Sequence, residues 1–258
     1  VKKTKKTGAA AKRRVLEEQR RNRRMWILAG IIVAAIAAQG LYLFAGSETF
    51  NVKAVHVAGN SRVTEAVIAK ASGISAKTNI FRVDETTAVK NISANPWIAS
   101  AEISRTWRLT VNIKVKERQP LAVVETAGLF RAVDKAGFVI ESNPVNAYAG
   151  LPVIRDCPIK DADEPGDRLS EAAALNALRA AAGLDQELVA KLGWISAPSI
   201  DGMSLQLTNG PLVMYGKAEM QKQKNYAIKV ILDQGANEGR SWQYIDVRVP
   251  SNPAAKPI

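Results

Sequence analysis

From Met25 to Phe44 the chain is apolar at nearly every position, with no charge and only Gln39 as a strongly polar side chain. At a helical rise of about 1.5 Å per residue this run reaches roughly 30 Å, the thickness of a bilayer's hydrocarbon core. Lipid offers no partner to backbone N–H and C=O groups, so a lone span must be a helix. The polar positions before it are mostly cationic: Lys2, Lys3, Lys5, Lys6, Lys12, Arg13, Arg14, Arg20, Arg21, Arg23 and Arg24 face only Glu17 and Glu18. This asymmetry predicts a cytoplasmic tail over 1–24, a transmembrane helix over 25–45 and everything later on the far side. Trp26 and Tyr42, near the two ends, are expected to sit at the headgroup levels as membrane anchors. The apolar run is longer than a signal-peptide h-region. Leu43 and Phe44, just before Ala45-Gly46, also suit a cleavage site badly, so an uncleaved anchor is expected.

After a polar linker over 46–49 the periodicity changes. Val52, Val55 and Val57, followed by Gly59-Asn60, read as a strand ending in a turn. Ser61 or Thr64 caps a helix with Val63, Val67, Ile68 and Ala71 on one face, stopped by Gly73. Asp84 caps a second helix, whose buried side is Val89 and Ile92 and which ends at Asn95-Pro96. Ala101, Ile103 and Trp107 then share one strand face. In the next strand Leu109, Val111, Ile113 and Val115 alternate with Thr110, Asn112, Lys114 and Lys116. Strand–helix–helix–strand–strand over 50–118 makes a small α+β domain with a core of Val55, Val67, Ile92, Ile103, Val111 and Ile113. Trp97 is expected in that core, and Arg105 is expected to pair with Glu117 across the hairpin.

Residues 119–250 read as a second, mainly antiparallel β domain with helices. Leu129–Val133 and Phe138–Ile140 flank the turn Asp134–Gly137, and Leu151–Ile154 follows. Leu169–Ala182 is helical, Met203–Leu207 and Leu212–Met214 form a hairpin around Asn209-Gly210, and Glu219–Asp233 is an amphipathic helix. Tyr244–Val249 reads as the last strand, with Ile245, Val247 and Val249 toward the core. Pro250, Pro253 and Pro257 mark a flexible tail over 251–258.

Charge and chemistry narrow the function. Of the formal net charge of +12, nine units lie in the tail before the span, so the basicity suits the anionic inner leaflet of a phospholipid bilayer and argues against nucleic acid. Cys157 is the only cysteine and His56 the only histidine, and each reads as structural. No spacing of His, Cys and carboxylates suits a metal, and no phosphate loop or nucleophile elbow is present. The expectation is therefore no catalytic residue, no cofactor, no metal and no small-molecule substrate: a protein that binds.

Particular segments carry a resemblance. Val57-Ala58-Gly59-Asn60, Ile80–Asp84, Asn95-Pro96-Trp97-Ile98, Arg105-Thr106-Trp107 and Val115–Ala122 resemble a POTRA domain of the FtsQ/DivIB kind, with Arg108 where proline is common. Tyr244-Ile245-Asp246-x-Arg248 resembles the end of that family's β domain. The resemblance implies a single-pass (type II) scaffold of the division complex at the septum of the plasma membrane, with FtsB and FtsL as partners. Tyr244, Asp246 and Arg248 form the expected partner-binding edge, as a terminal strand open to strand addition, and Trp107 is a further surface anchor. The alternatives are a POTRA-bearing secretion or outer-membrane assembly factor and an anchored cell-wall enzyme. The first would carry repeated POTRA copies and a barrel; the second would carry paired carboxylates or a metal cluster.

Overall fold

A computed structural model describes residues 5–126, 128–143, 148, 150–159 and 164–258, with side chains from Asn22 onward. Lys2 and Lys3 of the basic tail lie outside the described residues. Helix α1 runs unbroken over Lys5–Ala45, so tail and apolar run share one helix. Its Asn22–Ala45 portion is long and apolar enough to cross a membrane, and none of it is buried against the protein. Trp26 and Tyr42 are both largely exposed on it. Contacts divide the chain into two compact units. One holds the residues up to His56 with Ile74–Asp84 and Ser104–Asn112; the other holds Val57–Gly73, Glu85–Ile103 and Ile113–Ile258.

After α1 a 3-10 turn at Glu48–Phe50 occupies the expected linker. Strand β1 (Ala54–Ala58), helices α2 (Glu65–Ser72) and α3 (Glu85–Ser93), and strands β2 (Ile98–Thr106) and β3 (Thr110–Glu117) follow in the expected order. The sheet runs β1-β3-β2. Thr64 is the extended N-cap of α2, and Gly73 closes it in the left-handed region at φ 70°, donating its N–H to the Lys70 carbonyl. Ile92, Val111 and Ile113 are fully buried as expected, but Val67 is exposed, and Val55 and Ile103 are only half-buried. Ile68, one position on, is the residue of α2 that turns inward. Trp107 does not join Ala101 and Ile103: it is 86% exposed, because the chain turns at Thr106–Leu109, with Leu109 at φ 60°.

Glu117 does not pair with Arg105. Its carboxylate accepts the backbone N–H groups of Ser61, Arg62 and Val63 at 2.9–3.0 Å, satisfying the amides that lead into α2. Arg105 instead donates Nη1 to the Ile80 carbonyl at 3.3 Å. Trp97 is half-buried rather than core, and the Arg62 guanidinium lies 4.1 Å from its ring centroid. At Gly59, φ +86°, a Cβ would collide with the Val115 carbonyl, so only glycine fits there.

Among the described residues the second sheet has nine strands in the order β12-β11-β10-β9-β8-β7-β4-β5-β6. Three strands were not apparent in the sequence: β4 (Pro120–Thr126), β8 (Leu192–Ser196) and β12 (Ala254–Pro257); the short helix α5 (Gln186–Lys191) was also not apparent. The others are β5 (Leu129–Asp134), β6 (Val139–Ser142), β7 (Val153–Arg155), β9 (Ser204–Leu207), β10 (Leu212–Met214) and β11 (Trp242–Asp246). Most neighbours are antiparallel, while β4–β7, β7–β8 and β10–β11 are parallel, so the sheet is mixed within an α+β fold. Helix α4 (Ala172–Gly183) lies against β4, α6 (Gln221–Glu238) lies against β11, and the two helices touch. Ala173, Ala174, Ala177, Ala180 and Ala181 are buried along α4, and these small side chains allow close approach to the sheet. The core joins Val124, Ile154, Ile195, Leu205, Val213 and Ile245 from six strands.

Burial of Glu117 acts to raise its pKa, but the three amides and the Arg62 charge outweigh it, so the carboxyl lies below its ordinary value of 4.5. The folded state therefore gains stability from this carboxylate above the unfolded value, and loses it as pH falls through the lower folded one. Glu117→Gln should lower unfolding stability by about 1.5–3 kcal/mol near neutral pH, the range for hydrogen bonds to a charged group. Urea unfolding of wild type and variant should converge as pH drops below the ordinary Glu value.

Candidate functional site

The residues expected to bind a partner lie at one end of the nine-stranded sheet. Strand β11 is parallel to β10, with Tyr244 opposite Leu212 and Asp246 opposite Met214. Alternation sends Ile245 and then Val247 into the core at 0% exposure, leaving Tyr244 and Asp246 half-buried on the other face. Val249 departs from the expected core face and is 60% exposed. Regular pairing ends at Asp246, and the last inward hydrogen bond is from the Val247 N–H to the Met214 carbonyl.

Asp246 and Arg248 meet as a fork. Arg248 Nη2 donates to Asp246 Oδ2 at 2.6 Å, Nε donates to both carboxylate oxygens at 3.0 and 3.1 Å, and the Arg248 backbone N–H donates to Oδ1 at 3.0 Å. The hydrogen bond from Arg248 leads the influences that hold the Asp246 carboxyl below the usual aspartate range. The Arg248 side chain stays half exposed, so the pair adds little to stability, and its main effect is to orient the guanidinium.

Beneath the fork is a turn held by buried polar groups. Lys224 of α6 is 3% exposed, and its ammonium donates to the Tyr215 and Lys217 carbonyls at 2.7 Å each. Burial lowers its pKa. Asn176 of α4 donates to the Gly216 carbonyl at 3.3 Å and accepts the Ala218 N–H at 2.9 Å. Gly216, at φ +65°, lies against the Arg248 stem; a Cβ there would come within 3.2 Å of Arg248 Cγ. An open groove of about 580 Å³ runs along this turn, lined by Lys217, Met220, Asp246, Arg248, Val249 and Asn252.

The expected tail overturns one part of the expectation. Ala254–Pro257 is strand β12, antiparallel to β11, with Tyr244 opposite Lys256 and Asp246 opposite Ala254. Strand β11 is therefore interior, and the sheet's outer edge at this end belongs to β12. Pro253 just before it and Pro257 at its end hid it, although proline is compatible with an edge strand. Nothing in the run Gln221–Asn225 distinguishes the buried Lys224 from the exposed Lys222 two positions earlier. Tyr244, Asp246 and Arg248 come together here. Trp107 belongs to the other compact unit, and Trp26 and Tyr42 to α1.

Residues 50–118 match the family model for the POTRA domain, FtsQ-type, and residues 122–248 match that for Cell division protein FtsQ/DivIB, C-terminal. Cell division protein FtsQ of Streptomyces bingchenggensis is 28% identical over 235 residues, covering 90% of this chain and 86% of that protein. The FtsQ of Corynebacterium glutamicum is 26% identical over 218 residues, covering 84% and 92%. Cell division protein DivIB of Clostridium tetani is 26% identical over 209 residues, covering 79% and 78%. The joint match of these two models in succession, and of relatives along most of their length, means that the chain belongs to the FtsQ/DivIB family of cell division proteins.

Proposed function

We propose that the chain is a bitopic scaffold of the division complex at the septum of the plasma membrane, holding other single-pass division proteins through its extracytoplasmic domains and making or breaking no bond. The basic tail lies in the cytoplasm and both folded domains, 50–118 and 119–250, lie outside. The partners are the FtsB–FtsL pair, received as an added strand. The observation that carries this reading is the outer edge of β12, set beside the Tyr244–Asp246–Arg248 face at the end of the sheet.

With β12 rather than β11 at the edge, binding is shared differently between backbone and side chains. Four residues form this edge, and Pro257 has no N–H to give. A partner strand therefore gains only a few backbone hydrogen bonds, each worth about 0.5–1.5 kcal/mol net. Side chains must supply the rest. Tyr244 and Lys256 are register partners and share a face, with the Arg248 fork nearby. Aromatic and arginine side chains are the usual anchors of such surfaces.

Tyr244→Ala with Arg248→Ala should weaken capture of the FtsB–FtsL pair by residues 46–258 at least about tenfold, since 1.4 kcal/mol is one decade. The fold should persist, because the core at this end rests on Ile245 and Val247. Titration calorimetry with thermal melts as control tests this. Normal binding by a folded double variant would move the site to the surface around Trp107.

Orientation has its own test. A reporter active only outside the cytoplasm should work after Ile258 and fail before Met25, because the cationic residues lie on one side of the span. A mature N-terminus near Ser47 would rule out the anchor.

A further inference from the structure

The outer end of the span is strapped to a compact aromatic and basic surface. Helix α1 closes with Gly46 and Ser47 donating N–H groups to the Tyr42 and Phe44 carbonyls. Asn79, 8% exposed, donates its side-chain amide to the Ala45 and Ser47 carbonyls at 2.8 and 3.2 Å, while its Oδ1 accepts the Phe81 N–H at 3.0 Å. The 3-10 turn Ile80–Arg82 is thereby tied to the last carbonyls of the span. The rings of Phe44, Phe50 and Phe81 follow one another at 5.2 and 5.3 Å between centroids. The Arg82 guanidinium stands 5.8 Å from the ring centroid of Tyr42.

Depth follows from these contacts. Tyr42 is within the apolar Asn22–Ala45 stretch and near its end, at the level of lipid headgroups. A guanidinium beside that ring is at phosphate level. Phe81, 61% exposed, extends the exposed ring of Phe44 sideways from the helix. The segments of this unit beyond the span carry Lys53, Lys77, Arg82, Arg105 and Arg108 against Glu48 and Asp84, an excess of cations. Guanidinium suits phosphate oxygens through its planar fork, and each cation near an anionic surface adds to the attraction.

We propose that this collar binds anionic phospholipid in the leaflet where α1 ends, with Arg82 on the headgroup phosphate and Phe81 in the interfacial layer. The inference rests on the reading of α1 as a span, and not on its direction. The collar's excess positive charge makes the surface prefer an anionic leaflet to a zwitterionic one. The attraction should weaken as salt shortens the Debye length.

The test uses the full chain in nanodiscs of phosphatidylcholine alone or with phosphatidylglycerol, read by hydrogen exchange of residues 77–84. Exchange there should be about threefold slower with phosphatidylglycerol, and raised salt should shrink the difference, as expected for a screened attraction. Arg82→Gln and Phe81→Ser should each abolish the difference while exchange across β4 and β11 stays unchanged. Lys77→Gln, which leaves the Asn79 and Tyr42 contacts intact, should reduce it in part. Insertion with equal exchange in both lipids would overturn the collar and leave the span standing. A difference that survives in folded Arg82→Gln and Phe81→Ser would overturn the collar as well. Failure to insert would remove span and collar together.

Discussion

Two adjacent residues of opposite charge, Glu117 and Arg118, hold together the end of the first sheet and the start of the second. Glu117 satisfies three successive amides ahead of α2. Arg118 donates Nη1 to Asp134 Oδ2 at 2.8 Å and lies 3.8 Å from the Phe138 ring centroid, and its own backbone N–H donates to the Trp97 carbonyl. Asp134 is engaged further, because Oδ1 accepts the Ala136 and Phe138 N–H groups at 2.9 Å. With the two side chains 14% and 8% exposed, this pair is close to the buried limit. Such a pair adds little net stability, yet removing one partner strands a charge and costs about 3–5 kcal/mol. Its value is geometric. Pro120 starts β4 at once and Ala122 is fully buried, so the Glu-Arg-x-Pro-x-Ala segment is a joint in which each side chain has one task.

That segment also marks how far the sequence could be read. It drew attention by resemblance, and the expected partner of Glu117 was Arg105, because cross-strand pairing is the local default. The true partners are backbone amides more than fifty positions away, which no residue pattern announces. Elements with clean periodicity were legible: α2, α3, β3, α4 and α6 fall close to where alternation or a helical face put them, while α1 ends where expected but begins well before the apolar run. Strand β4 escaped because it is buried on both faces and so lacks alternation, and β8 because it follows directly on the short helix α5. On α2 the expected face held both Val67 and Ile68, and only Ile68 turns inward. Two β-branched neighbours on a two-turn helix leave the facing residue to tertiary contact.

At the far end of the sheet the misreading matters more. Four residues preceded by Pro253 and ending in Pro257 read as a tail, and they cap the sheet instead. Short length, a lysine and a proline are the devices by which proteins blunt an edge against indiscriminate pairing. Strand β12 has all three. On the proposed strand addition, an edge protected in this way needs side chains that reward the correct strand, and the oriented Arg248 fork and Tyr244 lie one strand inward. Buried Lys224 and Asn176 fix the turn that supports Arg248, so the groove is pre-formed, with less rotamer freedom to lose on binding.

A similar economy of freedom governs the membrane end. Between α1 and the 3-10 turn Glu48–Phe50 only Gly46 and Ser47 intervene, and Asn79 bonds the carbonyls of Ala45 and Ser47. A flexible linker would let the attached unit sweep a volume that grows with linker length, diluting the surface it presents. Here the ring contacts Phe44–Phe50–Phe81 and the Arg82–Tyr42 contact replace that freedom with one arrangement. The polar stretch Gly46–Thr49, which reads as a loose connector, is thus a fixed splice. For the scaffold role proposed above, affinity at one surface is useful only if that surface is held in a defined position. The buried Asn79 between helix end and first turn supplies that constraint for the unit that carries α1.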